Sequence, residues 1–357
     1  MSWSTTARGA LKSAFALGGL RSYASGPAGA GAVPLPPPPG GSGGISFNTI
    51  VKVLAVPTVL TAGVYYWQQQ NKAEGQALIK AKLDKKAREN PVAALDGKSF
   101  LPFALKEVSD VNHNTKRFRF ALPEGTTELG LPTASCVLTK FVDGKKPDGK
   151  PNVVVRPYTP VEDPADGYTG YFDMIIKKYP NGPMSTHIFN LKPGDTLDIK
   201  GPNPKFPYKA NEFDHITLLA GGTGITPMLQ LIQRITHNPE DKTKMTLVFA
   251  NIAEEDILLK DYLDNLQKRH GDRFTVRYCL EKPPMGWRGD VGYINEKIIT
   301  QVAAPPKQTA TKEKIFICGP NQMLEALSGG KAPDYTQGKI GGVLKKLGYV
   351  EGDVYKF

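Results

Sequence analysis

The chain has 357 residues, 40% hydrophobic and 22% charged, which suits a folded protein of about two domains. Its net charge of +11 is concentrated near the start: five positive charges lie in residues 1–73, which hold no Asp or Glu, and two more net in 74–98, so residues 99–357 carry only +4. That mild balance, with no basic run interleaved with aromatics, argues against nucleic acid; three cysteines and five histidines scattered singly argue against a metal site, a disulfide framework or a Cys/His nucleophile.

Residues 1–25, MSWSTTARGALKSAFALGGLRSYAS, intersperse Arg8, Lys12 and Arg21 with Leu11, Phe15, Leu17 and Leu20 and contain no acid. That is the composition of a mitochondrial presequence; an untargeted tail is the alternative. Residues 26–44 are a Gly/Pro/Ala linker that cannot bury a core. Residues 45–67 are uncharged from Val53 to Trp67 and end in Tyr65, Tyr66 and Trp67, as a single transmembrane anchor would at a headgroup boundary. Their length just suffices for one span, and a buried soluble helix is the competing reading. Residues 68–98 are polar and helix-favouring, a spacer before the folded part.

From 99 to about 213 the chain reads as short strands: TKRFRFAL, VLTKFV, NVVVRPY, YFDMIIKKY and DTLDIKG, punctuated by Gly, Pro and Asp turns. This pattern predicts a small antiparallel barrel. From 214 to 357 it changes. ITLLA, TLVFA, RFTVRYCL and KIFICG are each followed by a helical segment or a loop and helix, predicting a doubly wound parallel α/β domain. KQTATKEK (307–314) and SGGKAPDYTQGKIGG (328–342) read as surface loops.

Four stretches carry chemistry. GGTGITPM (221–228) joins the first α/β strand to its helix; Gly221, Gly222 and Gly224 remove side chains where a backbone must approach a ligand, Thr226 can cap the helix, and Pro227 suits its first position. Amides there attract phosphate, although a plain strand-to-helix turn also needs glycine. RPYTPV (156–161) offers the planar fork of Arg156, the ring of Tyr158 and the hydroxyl of Thr159; alone it also reads as an ordinary strand. IIKKYPNGPMST (175–186) ends a strand at Lys177 and Tyr179, turns, and opens a short helix at Met184, Ser185 and Thr186. ICGP (317–320), followed by Met323, puts Cys318 at a strand tip, where a small core residue is the alternative.

In this order and spacing the four stretches resemble the ferredoxin-reductase-like flavoproteins and, within them, the NADH–cytochrome b5 reductases, over Ser99 to Phe357. The resemblance implies an FAD-binding antiparallel β-barrel followed by a doubly wound parallel α/β NADH-binding domain, behind an N-terminal membrane anchor. It implies Arg156 on the FAD pyrophosphate, Tyr158 against the flavin and Thr159 near its N5. Ile176 and Tyr179 match the second flavin-contacting strand, Gly182, Met184 and Ser185 the pyrophosphate loop, and Thr226 a residue facing the flavin. Gly222, Thr223, Cys318, Gly319, Pro320 and Met323 match the nicotinamide nucleotide side, and Lys177 a lysine implicated in NADH binding. Glu281, in YCLEKPP, stands where relatives carry an acid; a carboxylate there accepts from ribose hydroxyls and repels a 2′-phosphate, favouring NADH over NADPH.

The implied reaction is hydride transfer from NADH to FAD, then one-electron transfers to cytochrome b5 or a similar haem protein, with Thr159, Lys177 and Cys318 closest to the chemistry. Lys177, Lys178 and Lys205 are candidates for steering an acidic acceptor. Alternatives are a related FAD reductase with another acceptor, or a membrane-tethered nucleotide-binding scaffold without flavin. The implied location is the mitochondrial outer membrane, with a processed intermembrane-space form as a second product and an endoplasmic reticulum anchor as the alternative. Phe357 is a candidate to pack near the cofactor.

Overall fold

Phe118 and Phe120 are fully buried while Arg117 and Arg119, which alternate with them, are partly exposed, so β2 (Thr115–Ala121) has one wet and one dry face. In the computed structural model, which describes residues 69, 72, 74–79, 81, 82, 85, 89–161, 170–306 and 311–357, this two-faced pattern recurs around an antiparallel sheet. Its other strands are β1 (Leu101–Asn112), β3 (Ser135–Lys145), β4 (Pro151–Tyr158), β5 (Tyr171–Lys177) and β6 (Thr196–Pro204), in the order β4-β3-β6-β1-β2-β5. Beyond β4, the Val161 N–H donates to the Asp173 carbonyl of β5 at 2.8 Å, which brings the two edges together as a barrel. Removing Phe118 from this core would cost about 3–5 kcal/mol.

Helix α1 (Pro183–Asn190) packs Met184 and Ile188 into the barrel core. Proline near its start suits a position whose N–H has no partner within the helix.

The second half is a parallel sheet of β7 (His215–Gly221), β8 (Lys244–Asn251), β9 (Phe274–Leu280), β10 (Asp290–Val291), β11 (Glu313–Cys318) and β12 (Val354–Lys356), in the order β10-β9-β8-β7-β11-β12. Central β7 is buried along Ile216–Gly221, as a strand covered on both faces must be. The helices are α2 (Ile225–Thr236), α3 (Lys260–His270), α4 (Glu296–Val302), α5 (Asn321–Ser328) and α6 (Gly342–Lys346). Met228, Leu231, Ile232 and Ile235 of α2 recur at helical spacing and are buried. One core cluster lies under α2 and α3; a second lies under α4 and α5.

Several expectations change. Residues 1–67, with the presequence, linker and apolar segment, lie outside the described residues; among those described, no helix is long and apolar enough to cross a membrane. The end of the spacer joins the barrel, with Ala94 and Leu95 buried in its core. In the loop read at 307–314, residues 307–310 lie outside the described part, and Glu313 and Lys314 begin β11. The stretch 328–342 does run outside the sheets but is bolted down. Lys356 is 2% exposed, and its ammonium donates to the carbonyls of Gly330 (2.9 Å) and Lys339 (3.0 Å), while the Gln337 amide brackets the Lys356 backbone. Phe357 stacks on Phe316 at 5.7 Å, and its N–H donates to the Ile317 carbonyl.

The two halves share a core. Ala134 and Ile175 of the barrel belong to the cluster under α2, and Val161, Phe206 and Tyr208 pack against it. Gln230 of α2 fastens the seam: the Ser135 N–H donates to its Oε1 at 3.0 Å, and its Nε2 donates to the Pro160 carbonyl at 3.1 Å.

Candidate functional site

The ends of β4 and β5 supply the barrel side of the site. Arg156 is exposed and spends one guanidinium N–H on the Val155 carbonyl, leaving a fork with further donors for a phosphate. Tyr158 is half-buried, and burial pushes its hydroxyl up to about 12, with Tyr179 adding and Arg156 opposing. It therefore stays a neutral ring and donor at working pH. Thr159 follows at the strand's end, half-buried.

On β5, Ile176 turns into the barrel core at 1% exposure. Met184 is likewise 1% exposed. Both side chains pack into the barrel core behind the loop. Ser185 is also committed: its hydroxyl donates to the Gly182 carbonyl at 3.0 Å and accepts from the Tyr179 N–H at 3.2 Å. It ties the turn after β5 to the start of α1. A Cβ on Gly182 would lie 2.6 Å from that hydroxyl. The turn must therefore pass here without a side chain, which leaves a backbone cradle of the kind an anionic group occupies.

The glycine loop faces this cradle. Tyr179 Oη lies 3.3 Å from Thr223 Oγ1, which joins the end of β5 to the loop after β7. Lys177 lies 3.9 Å from the Asp256 carboxylate, and Asn112 Nδ2 donates to the Glu255 carbonyl at 3.1 Å, so the barrel also grips the turn after β8.

Within the loop the glycines do different things. Gly222 has φ +53, a left-handed backbone, and open space where a side chain would stand. A Cβ on Gly224 would come to 2.1 Å from the Cys318 carbonyl oxygen. Gly221 and Gly319 lie back to back beneath Met323, whose Sδ would be 2.7 Å from a Cβ on either. Met323, read as a ligand-side residue, packs over the two strand tips.

The expected Thr226 cap is corrected. A short 3₁₀ turn, 222–224, runs straight into α2, which starts at Ile225 with Gly224 as its N-cap. Thr226 is thus the second helical residue and Pro227 the third; Thr226 is 7% exposed and donates its hydroxyl to the Thr223 carbonyl at 3.1 Å. The close approach of Gly224 to β11 is the physical reason, because it commits the chain to the helix early.

Across the loop, Cys318 ends β11, followed by Gly319 and Pro320. Burial pushes its thiol up to about 12, with Lys331 pulling the other way, so it is a neutral packing group rather than a thiolate nucleophile. Farther along the sheet edge, Glu281 accepts from the Tyr293 hydroxyl at 3.0 Å. Tyr293 is 71% exposed. Sequence reading missed it, as it missed Asp256 and Gln230; no local motif marks a partner that only the fold brings near.

The site thus has a tight glycine turn and an aromatic ring on the barrel, a bare glycine turn on the sheet, and a joint between them. These are the parts a flavin dinucleotide and a nicotinamide dinucleotide need.

Comparison with known proteins matches this division. The family model described as an oxidoreductase FAD-binding domain covers residues 102–208, and that of an oxidoreductase NAD-binding domain covers 218–329. A Neurospora crassa protein named NADH-cytochrome b5 reductase 2 is 50% identical over 258 residues, 72% of this chain and 73% of that one. An Arabidopsis thaliana NADH-cytochrome b5 reductase-like protein is 43% identical over 318 residues, 89% of this chain and 92% of that one. Among solved structures, the cytochrome b5 reductase domain of Ulva prolifera nitrate reductase is 30% identical with a TM-score of 0.62, covering 74% of this chain and 100% of that chain.

Proposed function

The chain belongs to the NADH-cytochrome b5 reductase family, and from that premise we propose that it carries electrons from NADH through FAD to cytochrome b5. One NADH gives up a hydride and leaves as NAD+; its two electrons reduce two ferric haem proteins, and a proton is released. FAD, when bound, supplies the conversion of a two-electron donor into one-electron deliveries.

The observation that carries the reading is the Tyr179–Thr223 contact at 3.3 Å, because it brings the two half-sites together. The chain's own residues then divide the work. Arg156 and the Gly182 turn hold the FAD pyrophosphate by charge and backbone amides. Tyr158 would offer its ring to the flavin, and Thr159 its hydroxyl as a hydrogen-bonding group at the strand's end. Gly222 and Thr223 would let the nicotinamide nucleotide approach, Cys318 and Gly319 would wall its ring, and Lys177 would offer it a positive charge. Glu281, oriented by Tyr293, takes the ribose hydroxyls and repels an added phosphate. No residue acts as a general acid or base; binding, alignment and water exclusion are the protein's contribution.

We assign the N-terminus to anchoring at the mitochondrial outer membrane, with a processed intermembrane-space form. The support is compositional: the acid-free, Arg/Lys-bearing first 25 residues and the uncharged run from Val53 to Trp67. Fusing residues 1–73 to a reporter tests this; a diffuse cytosolic signal would refute it.

The reading is tested on purified protein. A yellow chromophore with absorbance at about 450 nm, bleached by NADH far more readily than by NADPH, is expected. Oxidised cytochrome b5 should then be reduced catalytically. Absence of flavin would return the chain to the scaffold alternative, and flavin reduction without cytochrome b5 reduction would point to another acceptor.

A further inference from the structure

The turn after β8 carries a carboxylate aimed at the other half of the chain. Asp256 Oδ2 accepts from the Ala253 N–H at 3.1 Å and closes the turn on itself. Oδ1 faces the barrel, 3.9 Å from the Lys177 ammonium and 3.8 Å from His113 Nε2. The Asp256 side chain is 10% exposed and that of Lys177 24%. Asn112, donating to the neighbouring Glu255 carbonyl, keeps the turn against the barrel.

Lys177 ends β5, two residues before Tyr179, whose hydroxyl meets Thr223. This strand end therefore meets the turn after β7, and the Lys177 ammonium meets the turn after β8. Both turns lie at the carboxyl ends of adjacent parallel strands, the edge at which nucleotides bind such a sheet. At 3.9 Å the Lys177–Asp256 pair is held by charge without a hydrogen bond, which would need about 2.7–3.2 Å. Among the described residues Asp256 is the sole carboxylate paired with Lys177, so the ammonium keeps its three donors for another group.

We propose that Asp256 is a positioning residue that holds Lys177 in reserve. Its carboxylate neutralises the ammonium in the nucleotide-free protein, and dinucleotide binding draws the ammonium over to its own oxygens. Asp256 is thereby a brake on affinity, which lets NAD+ leave between turnovers. The proposal rests on the reading that this sheet edge binds NADH. Coulomb's law sets its sign: the dinucleotide's pyrophosphate is anionic, so a carboxylate beside the lysine competes with it for one cation. The exchange does not strand the carboxylate, because the Ala253 amide and the His113 ring stay beside it.

The test is Asp256→Asn in the FAD-loaded full chain, which removes the charge and keeps an acceptor for the Ala253 N–H. The KM for NADH, and the dissociation constant of NAD+ read by calorimetry, should both fall about tenfold, equal to about 1.4 kcal/mol. Binding should also weaken more steeply with added salt than in wild type, because an uncompensated cation now meets the pyrophosphate. Lys177→Gln should raise both constants, and Asp256→Asn added to it should change neither further. A melting curve checks each variant; should Asp256→Asn not fold, Asp256→Ser also removes the charge and takes its place. Constants unchanged or raised in the folded, charge-free variant would overturn the proposal. So would an equal effect of Asp256→Asn with and without Lys177→Gln, which would make Asp256 a support of its turn alone. Wild type that holds FAD yet binds neither NADH nor NAD+ would instead sink the enzymatic reading, and this proposal with it.

Discussion

Two glycines two residues apart separate what the glycine loop owes to packing from what it owes to ligand. Gly224 has ordinary helical backbone angles, so alanine there carries no torsional penalty. Its Cβ would nevertheless sit 2.1 Å from the Cys318 carbonyl oxygen, 2.5 Å from the carbonyl carbon and 2.9 Å from the Gly319 nitrogen. All three are backbone atoms of a central parallel strand and its exit, so no rotamer change relieves the clash. Ordinary contact needs more than 1 Å of displacement. Overpacking typically costs about 1–3 kcal/mol, and a backbone obstacle belongs at or above the top of that range. At about 2–4 °C per kcal/mol for a large domain, Gly224→Ala should lower the melting temperature by about 6 °C or more. Gly222→Ala is the opposite case. Its Cβ would enter open space, and the left-handed φ of +53 costs only about 1–2 kcal/mol. That variant should melt within a few degrees of wild type, yet raise the KM for NADH about tenfold because the methyl stands in the dinucleotide's path. Thermal unfolding and steady-state kinetics on the two variants decide the matter. Wild-type stability in Gly224→Ala, or an unchanged KM in folded Gly222→Ala, would refute the division of labour.

Glu281→Gln should raise the NADPH-to-NADH ratio of kcat/KM about tenfold by removing the charge that repels a 2′-phosphate, with Tyr293→Phe moving it less; an unchanged ratio would remove Glu281 from the site. Asp173→Ala should cost about 1–3 kcal/mol in urea unfolding, because Arg119 donates to both Asp173 oxygens at 2.8 and 2.9 Å and would keep only Glu107 at 3.5 Å and the face of the Tyr171 ring; an unchanged midpoint would refute it. Cys318 gives a sign-defined pH effect. Its thiol is raised from 9.0 to about 12 by burial, so the folded state holds a proton that the unfolded chain releases above pH 9. That contribution is complete below pH 9 and is lost as pH rises towards 12. The melting temperature should therefore fall more steeply above pH 9 in wild type than in Cys318→Ala, and parallel curves would contradict the assignment.

Local pattern carried much of the fold. Phe118 and Phe120 alternating with arginines, and the unbroken apolar core of β7, are periodicities that a few residues suffice to express. β1 escaped because its first half alternates around Phe103 and Leu105 whereas the rest, Glu107 to Asn112, has no buried residue, leaving no sustained period. β12 is three residues long and exists only because β11 offers an edge. The site split in the same way. Motif spacing pointed to β4, β5, the glycine loop and the β11 tip, but not to what each side chain does there. Ile176 and Met184 face inward because they complete the barrel core, Ser185 is consumed by its own turn, and Thr226 is displaced from the cap by a contact with a strand about 90 residues later. These outcomes depend on register and on partners distant in sequence.

The seam between the halves decides whether two nucleotide-binding folds make one redox site. Productive transfer between two rings requires reacting atoms at about 3–3.5 Å, and a loss of about 1 Å can cost a hundredfold. A linker alone would leave that distance to chance. Here the barrel's Ala134 and Ile175 are buried in the same cluster as Ile225, Met228 and Leu229 of α2, and Gln230 bonds to both Ser135 and Pro160. Pro160 follows Tyr158 and Thr159 by one or two residues, while Gln230 lies on the helix that the glycine loop begins. The fastening therefore sits within a few residues of both groups it must align. Gln230→Ala tests this directly. Breaking both bonds should lower kcat with NADH while leaving FAD retention and the KM nearly unchanged, since each half keeps its own binding surface. A parallel loss of FAD would instead make Gln230 a support of the barrel alone.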